Sequence, residues 1–346
     1  MPEAKLFMTT LVGSYPQPDW LIDRASLRVP RVRVPELWRV AGDHLPEAQD
    51  DATALAVAAQ ERAGIDIVTD GEIRRESYSN YFGTRLDGID LEHPGVTRGR
   101  GSFSTAEVTV PRVAGPISRR QPVHVDDLKF LRSLTNRLVK ITVPGPFTLS
   151  QLSHDDYYGS GAALALAYAA VVRDEIHDLF QAGADVVQVD EPWMEARPEA
   201  ARAYGVEALT AALEGANGVT AVHVCFGYGA IVPGRPPRYE FLPSLADVPV
   251  DQVSIETAQS NLSGEALRSF TKQAIVLGVL DLSTPEVESP DTIVDRVERT
   301  LPYVPPERVI LAPDCGMKFL PRQAAEEKLR SMVSAAAILR ERYAGN

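Results

Sequence analysis

The chain has 346 residues, of which 45% are hydrophobic and 24% charged, an ordinary globular composition with enough apolar material for a sizeable core. Its 47 acidic against 35 basic side chains set the net charge at −12, which excludes nonspecific binding to nucleic acid or an anionic membrane, since both need a basic footprint. No apolar run approaches the ~18 residues of a membrane span, and the N-terminus lacks a basic flank followed by an apolar stretch, so the chain is read as cytoplasmic.

Short β-branched runs alternate with helical patterns from end to end. Eight such runs are expected as strands: 8–14, 65–72, 138–146, 184–192, 219–227, 251–258, 274–281 and 308–315, each bounded by Gly, Pro or Asp. Between them apolar residues recur at helical spacing over 47–63, 162–182, 205–216, 264–272, 290–301 and 321–342. In AGID (63–66) and AGAD (182–185) a Gly just past a helix is followed directly by a strand. Residues 15–46 read as a loop with short helical turns. Residues 87–137, with the alternating stretch RGSFSTAEVTVPRVAG, read as a β-hairpin inserted after the second strand, followed by a helix near 125–136.

Eight strands with crossover helices imply a parallel sheet, which closes most economically into a (β/α)8 TIM barrel of the α/β class. The whole chain, 1–346, is then one domain with an insertion at about 87–137. An open doubly wound sheet is the alternative, and the absence of a GxGxxG turn after the first strand argues against it.

In such a barrel catalytic groups stand at the C-terminal ends of the strands. There this sequence offers Gly13 and Ser14, Asp70 and Glu72, Gly145, Asp190 and Glu191, His223 and Cys225, Glu256, Asp281, and Asp314 with Cys315. Cys225 and Cys315 are the two cysteines of the chain; they exclude a disulfide framework and leave a buried pair, two core thiols or two ligands of one metal. His223 and Cys225, two apart on one strand, share a face. Alone they read as a core histidine and a buried thiol. Together with Glu256 on the next strand and Cys315 on the last, they make a His, Cys, Glu, Cys set suited to Zn2+ rather than magnesium or calcium. Zinc held by two thiolates is a weak Lewis acid, better fitted to lower the pKa of a substrate thiol than to acidify water, so alkyl transfer to sulfur is the expected chemistry.

The motifs VGSYPQP, DGE, VPGPFTLS, VQVDEP, HVCFG, SIETAQS and PDCGMK, in order across residues 12–318, resemble the C-terminal catalytic barrel of cobalamin-independent methionine synthase. The resemblance implies zinc on His223, Cys225, Glu256 and Cys315. It also implies homocysteine held at its amino-acid end by Ser14 with Gly13 and by Glu72 and Asp190, the two carboxylates also being the expected catalytic groups. Two carboxylates suit an ammonium, and a hydroxyl with loop amides suits a carboxylate. The activity implied is methylation of homocysteine, as a zinc-bound thiolate, to methionine.

Three departures concern the methyl donor. The family's two-barrel enzyme is about twice this long. Leu152 stands where the family has a tryptophan beside the folate, and Ser283 where it has a proton-relaying histidine. The donor is therefore left open between 5-methyltetrahydrofolate and a methylcorrinoid, the latter free or on a partner protein; a corrinoid leaves without protonation, which fits Ser283. Alternatives are an epoxide transferase acting on coenzyme M, whose sulfonate Glu72 and Asp190 would repel, a non-catalytic zinc-binding barrel, and a uroporphyrinogen-decarboxylase-like barrel. His154, Tyr78, Tyr81 and Trp193 are further candidates for lining or closing the donor side.

Overall fold

The computed structural model describes residues 5–28, 32–40, 42–99, 107–228 and 238–344. In chain order its strands are β1 (Ile67–Thr69), β2 (Asp87–Arg98), β3 (Glu107–Ser118), β4 (Leu138–Pro144), β5 (His154–Asp155), β6 (Val186–Asp190), β7 (Val219–Val224), β8 (Gln252–Glu256), β9 (Ala274–Leu280) and β10 (Val309–Pro313). Seven form one curled parallel sheet in the order β1-β4-β6-β7-β8-β9-β10. The helices are α1 (Leu45–Ala63), α2 (Tyr78–Gly83), α3 (Val125–Leu134), α4 (Pro146–Gln151), α5 (Gly161–Gln181), α6 (Trp193–Ala196), α7 (Pro198–Ala200), α8 (Val206–Leu213), α9 (Pro290–Glu298) and α10 (Arg322–Tyr343).

The expected first strand, 8–14, is reduced to two parallel bridges, Thr9 to Leu311 and Thr10 to Ile67, which join both edges of the sheet. The ladder stops there because the next carbonyls are taken by side chains. Gln188 donates to the Val12 carbonyl (2.9 Å) and Thr69 Oγ1 to that of Gly13 (2.7 Å). The expected helix over 264–272 shrinks to the 3-10 turn Gly264–Leu267, capped by Ser263, since so short an apolar run cannot offset the cost of helix nucleation. Residues 15–46 carry 3-10 turns at Ser26–Arg28, Pro35–Leu37 and Gly42–His44.

Strands β2 and β3 pair antiparallel, and β3 pairs parallel with β5, in a separate three-stranded sheet. Residues 100–106 of the expected insertion lie outside the described residues. No described helix is long and apolar enough to cross a membrane.

Alternation within the parallel strands separates two apolar regions. In β4, Val139, Ile141 and Val143 join the large cluster that packs under the helices, while the sheet's inner face holds small patches, Ile67, Val186 and Ala221 in one and Val12, Val276, Ile310 and Ala312 in another. Lys140, Thr142, Gln188, Asp190, His223 and Ser254, all buried, alternate with the outward residues and face inward. That polar inner face leads up to the site.

Candidate active site

The C-terminal ends of the strands surround a cavity of about 140 Å³ lined by Gly13, Ser14, Glu72, Tyr78, Asp190, Pro192, His223, Cys225, Tyr228 and Cys315, among others. Residues from opposite ends of the chain, Gly13 and Cys315, thus meet at one opening.

Three of the expected metal ligands are brought together: the ligand atoms of His223, Cys225 and Cys315 all lie within 4.8 Å of one another. His223 Nδ1 is 2.9 Å from Ser254 Oγ, and Nε2, buried, has no oxygen or nitrogen partner. With Ser254 accepting from Nδ1–H, the Nε2 lone pair is left for a ligand role. The two sulfurs are 3.6 Å apart, close to the ~3.8 Å that two thiolates at 2.3 Å from a tetrahedral zinc require. The Cys225 thiol beside it, and then burial, push the Cys315 thiol well above its ordinary pKa, which disfavours two bare thiolates and suits a cation between them. The donor set and its spacing therefore fit zinc. Glu256, fully buried at the end of β8, lies outside that 4.8 Å group; Phe226 N donates to its Oε2 at 3.4 Å.

The carboxylates expected at the substrate end face the same cavity. Glu72 has φ +53°, a left-handed conformation that costs a non-glycine residue on the order of 1–2 kcal/mol. Asp70 Oδ1 stabilises it by accepting from Glu72 N (3.0 Å). Thr142 Oγ1 donates to Glu72 Oε1 (3.0 Å), and the buried Arg75 guanidinium stands 3.9 Å away, itself anchored on Thr142 and Asp70. Gly13 is needed by close approach, since a Cβ there would lie 2.4 Å from Glu72 Oε1. Asp190 Oδ1 accepts from Gln188 Nε2 (2.8 Å), and burial pushes the Asp190 carboxyl up to about 7, against the pull of His223. Ser14 is buried next to Tyr228, and Gly316 leaves room for its hydroxyl.

Other polar strand ends serve the scaffold. Glu191 accepts from Phe147 N (3.0 Å) and Thr148 N (2.8 Å) and so closes the N-terminus of α4; burial outweighs those donors and raises its carboxyl to about 8. Asp314 accepts from Thr257, Ala258 and Gln259 N and holds the loop after β8. Asp281 accepts from the backbone and hydroxyl of Ser283, which is exposed. Of the donor-side candidates, Tyr78 lines the cavity. Tyr81 stacks on His124 at 5.4 Å and bonds Asp127, His154 sits in the three-stranded sheet against Val96 O, and Trp193 is buried.

Sequence reasoning passed over Lys140, Gln188, Arg75, Tyr228 and Lys318, whose buried ammonium donates to the Arg75 carbonyl at 2.9 Å. Lys140 and Gln188 had a signal: a lysine and a glutamine in strands otherwise built of β-branched residues, at inward positions. Arg75, Lys318 and Tyr228 had none, because loops bring them in.

A model of the family described as "Cobalamin-independent synthase, Catalytic domain" matches residues 7–338. The chain belongs to this family. Family membership makes it a methyltransferase and implies methyl transfer to homocysteine. Among its relatives, a methionine synthase of Saccharolobus solfataricus is 33% identical over 99% of this chain and 97% of its own length. One from Thermococcus kodakarensis is 31% identical over 99% of this chain and 96% of its own length. A solved B12-independent methionine synthase from Shewanella sp. W3-18-1, in complex with selenomethionine, superposes with a TM-score of 0.90 at 30% identity, covering 99% of this chain and 100% of that one. The likeness thus runs along nearly the whole length of these relatives.

Proposed function

We propose that this family member is a single-domain (β/α)8 barrel, with Thr9 and Thr10 as the closing stave, that uses zinc to methylate homocysteine to methionine. The observation that carries the reading is the His223, Cys225 and Cys315 cluster opening on the same cavity as Asp190 and Glu72. The three residues would hold the metal, with Glu256 proposed as the fourth ligand. Zinc, when bound, lowers the pKa of the substrate thiol while leaving the sulfur nucleophilic.

The chain's own groups orient the rest of the substrate. Asp190 and Glu72 receive its ammonium, and Ser14 with the Gly13–Ser14 backbone receives its carboxylate. The thiol gives up its proton to solvent, and its sulfur bonds to the donor's methyl carbon as the methyl–nitrogen or methyl–cobalt bond breaks, that electron pair leaving with the donor. The selenomethionine held by the Shewanella relative supports an amino-acid thioether as product. Exposed Ser283, engaged by Asp281, offers no imidazole to protonate a departing folate nitrogen, which favours a corrinoid donor.

Anaerobic product analysis of the zinc-loaded protein tests this. Homocysteine is supplied with methylcobalamin in one tube and 5-methyltetrahydrofolate in another, beside coenzyme M with an epoxide. Methionine from either donor is the expected result, with methylcobalamin the more productive. Thioether only from coenzyme M would overturn the assignment.

A further inference from the structure

Beneath the two cavity carboxylates lies a buried cation that takes no part in the methyl transfer itself. Lys140, on the inward face of β4, is 2% exposed, and its ammonium donates to Gln188 Oε1 at 2.8 Å. Because an ammonium only donates, this contact fixes the amide: Oε1 faces Lys140, and Nε2 must face the other way. Nε2 donates to Asp190 Oδ1 at 2.8 Å and to the Val12 carbonyl at 2.9 Å. The anions that act on Lys140 are Asp190 and Glu72, and the imidazole of His223 is also within its electrostatic reach.

A lysine this close to two buried carboxylates ordinarily pairs with one of them directly, since each lone buried charge is costly. Here a neutral amide stands between the ammonium and Asp190. We propose that Gln188 is a specificity-determining positioning residue: it insulates Asp190 from the Lys140 ammonium, so that the carboxylate stays available to a ligand's ammonium and the site prefers an α-amino thiol to a plain thiol acid. The inference rests on the homocysteine reading above. Burial brings Lys140 down to about 7, against the pull of Asp190 and Glu72, so the cation is poorly compensated where it sits.

Removing the amide has a definite sign. Without Gln188, Lys140 loses its hydrogen bond to the amide oxygen and moves onto Asp190, cancelling the charge that the ligand needs. Removing Lys140 as well takes that competitor away. A residue with only a packing role predicts no such recovery.

The test is calorimetric titration of the zinc-loaded protein with homocysteine and with 4-mercaptobutyrate, which has the same thiol and carboxylate but no amine. The wild type is expected to favour homocysteine by about tenfold or more, the worth of one charge-assisted hydrogen bond. Gln188→Leu should bring that ratio close to one with little change for 4-mercaptobutyrate. Adding Lys140→Met should restore several-fold of it; Gln188→Met, nearer in shape, gives the same comparison if the Leu protein does not fold. A Gln188 variant that keeps the wild-type ratio, or a double variant without recovery, would overturn the insulation. A wild type that does not distinguish the two ligands would overturn the homocysteine reading itself, and the insulation with it.

Discussion

At the scale of single residues, the candidate site divides into soft donors and hard ones, and the two groups should fail differently. Cys225→Ser or Cys315→Ser removes one of two thiols 3.6 Å apart, so zinc content and methionine formation are expected to fall together, measured by metal analysis and product assay on the same preparation. Asp190→Asn keeps the metal donors and removes a charge beside the cavity. Its apparent KM for homocysteine should rise about 10- to 100-fold, as loss of a charged hydrogen bond worth roughly 1.5–3 kcal/mol implies, with zinc stoichiometry unchanged. Retention of zinc and full activity by both Cys variants would show that the metal is held elsewhere.

At the scale of elements, the polar strand ends are split between chemistry and architecture by the direction in which each side chain leaves its strand. Asp190 and Glu191 are adjacent, yet alternation sends Asp190 to the cavity and Glu191 to the first amides of α4. Gly145 makes that cap possible, because a Cβ there would stand 2.1 Å from Glu191 Cδ. Gly145→Ala is therefore expected to lower stability by about 1–3 kcal/mol, the usual cost of overpacking, read as a shift of the denaturation midpoint. The three longest helices, α1, α5 and α10, were legible to within a residue or two, while the expected 205–216 and 290–301 overran α8 and α9 by three residues. Their periodicity is local, and the structure adds what the spacing did not show, that Ser160 and Ser289 cap α5 and α9 by accepting from Ala163 N and Thr292 N. The stave at 8–14 and the turn at 264–267 were not, because whether a β-branched or apolar run completes a ladder or a helix depends on what competes for its backbone groups.

At the scale of the molecule, the buried charges give stability a dependence on pH with opposing parts. Glu191 has a folded pKa of about 8, above its ordinary 4.5. Between those values the folded state keeps a proton that the unfolded state has lost, so this group's contribution falls as pH rises through that window. Lys140 works the other way: its folded value of about 7 lies below 10.5, so the cost of burying its charge is full below about 7 and is relieved as pH rises towards 10.5. Thermal melts of the wild type and Glu191→Gln from pH 5 to 8 should show the variant gaining relative to the wild type as pH rises. A constant difference would mean that Glu191 is ionised throughout in the fold.

The alternation of strands and helices, and the placement of His, Cys, Glu and Asp at strand ends, are readable from neighbouring residues alone, since period and punctuation are local properties. The order of motifs also carried the family. Which polar ends meet depends instead on how the sheet folds in space. His223, Cys225 and Cys315 converge because the curled sheet brings β10 round towards β7, while Glu191, Asp314 and Tyr81 turn away to cap and brace. The Lys140–Gln188–Asp190 chain likewise exists only across β4 and β6, because hydrogen bonds between residues 48 positions apart depend on strand register, which no local pattern records.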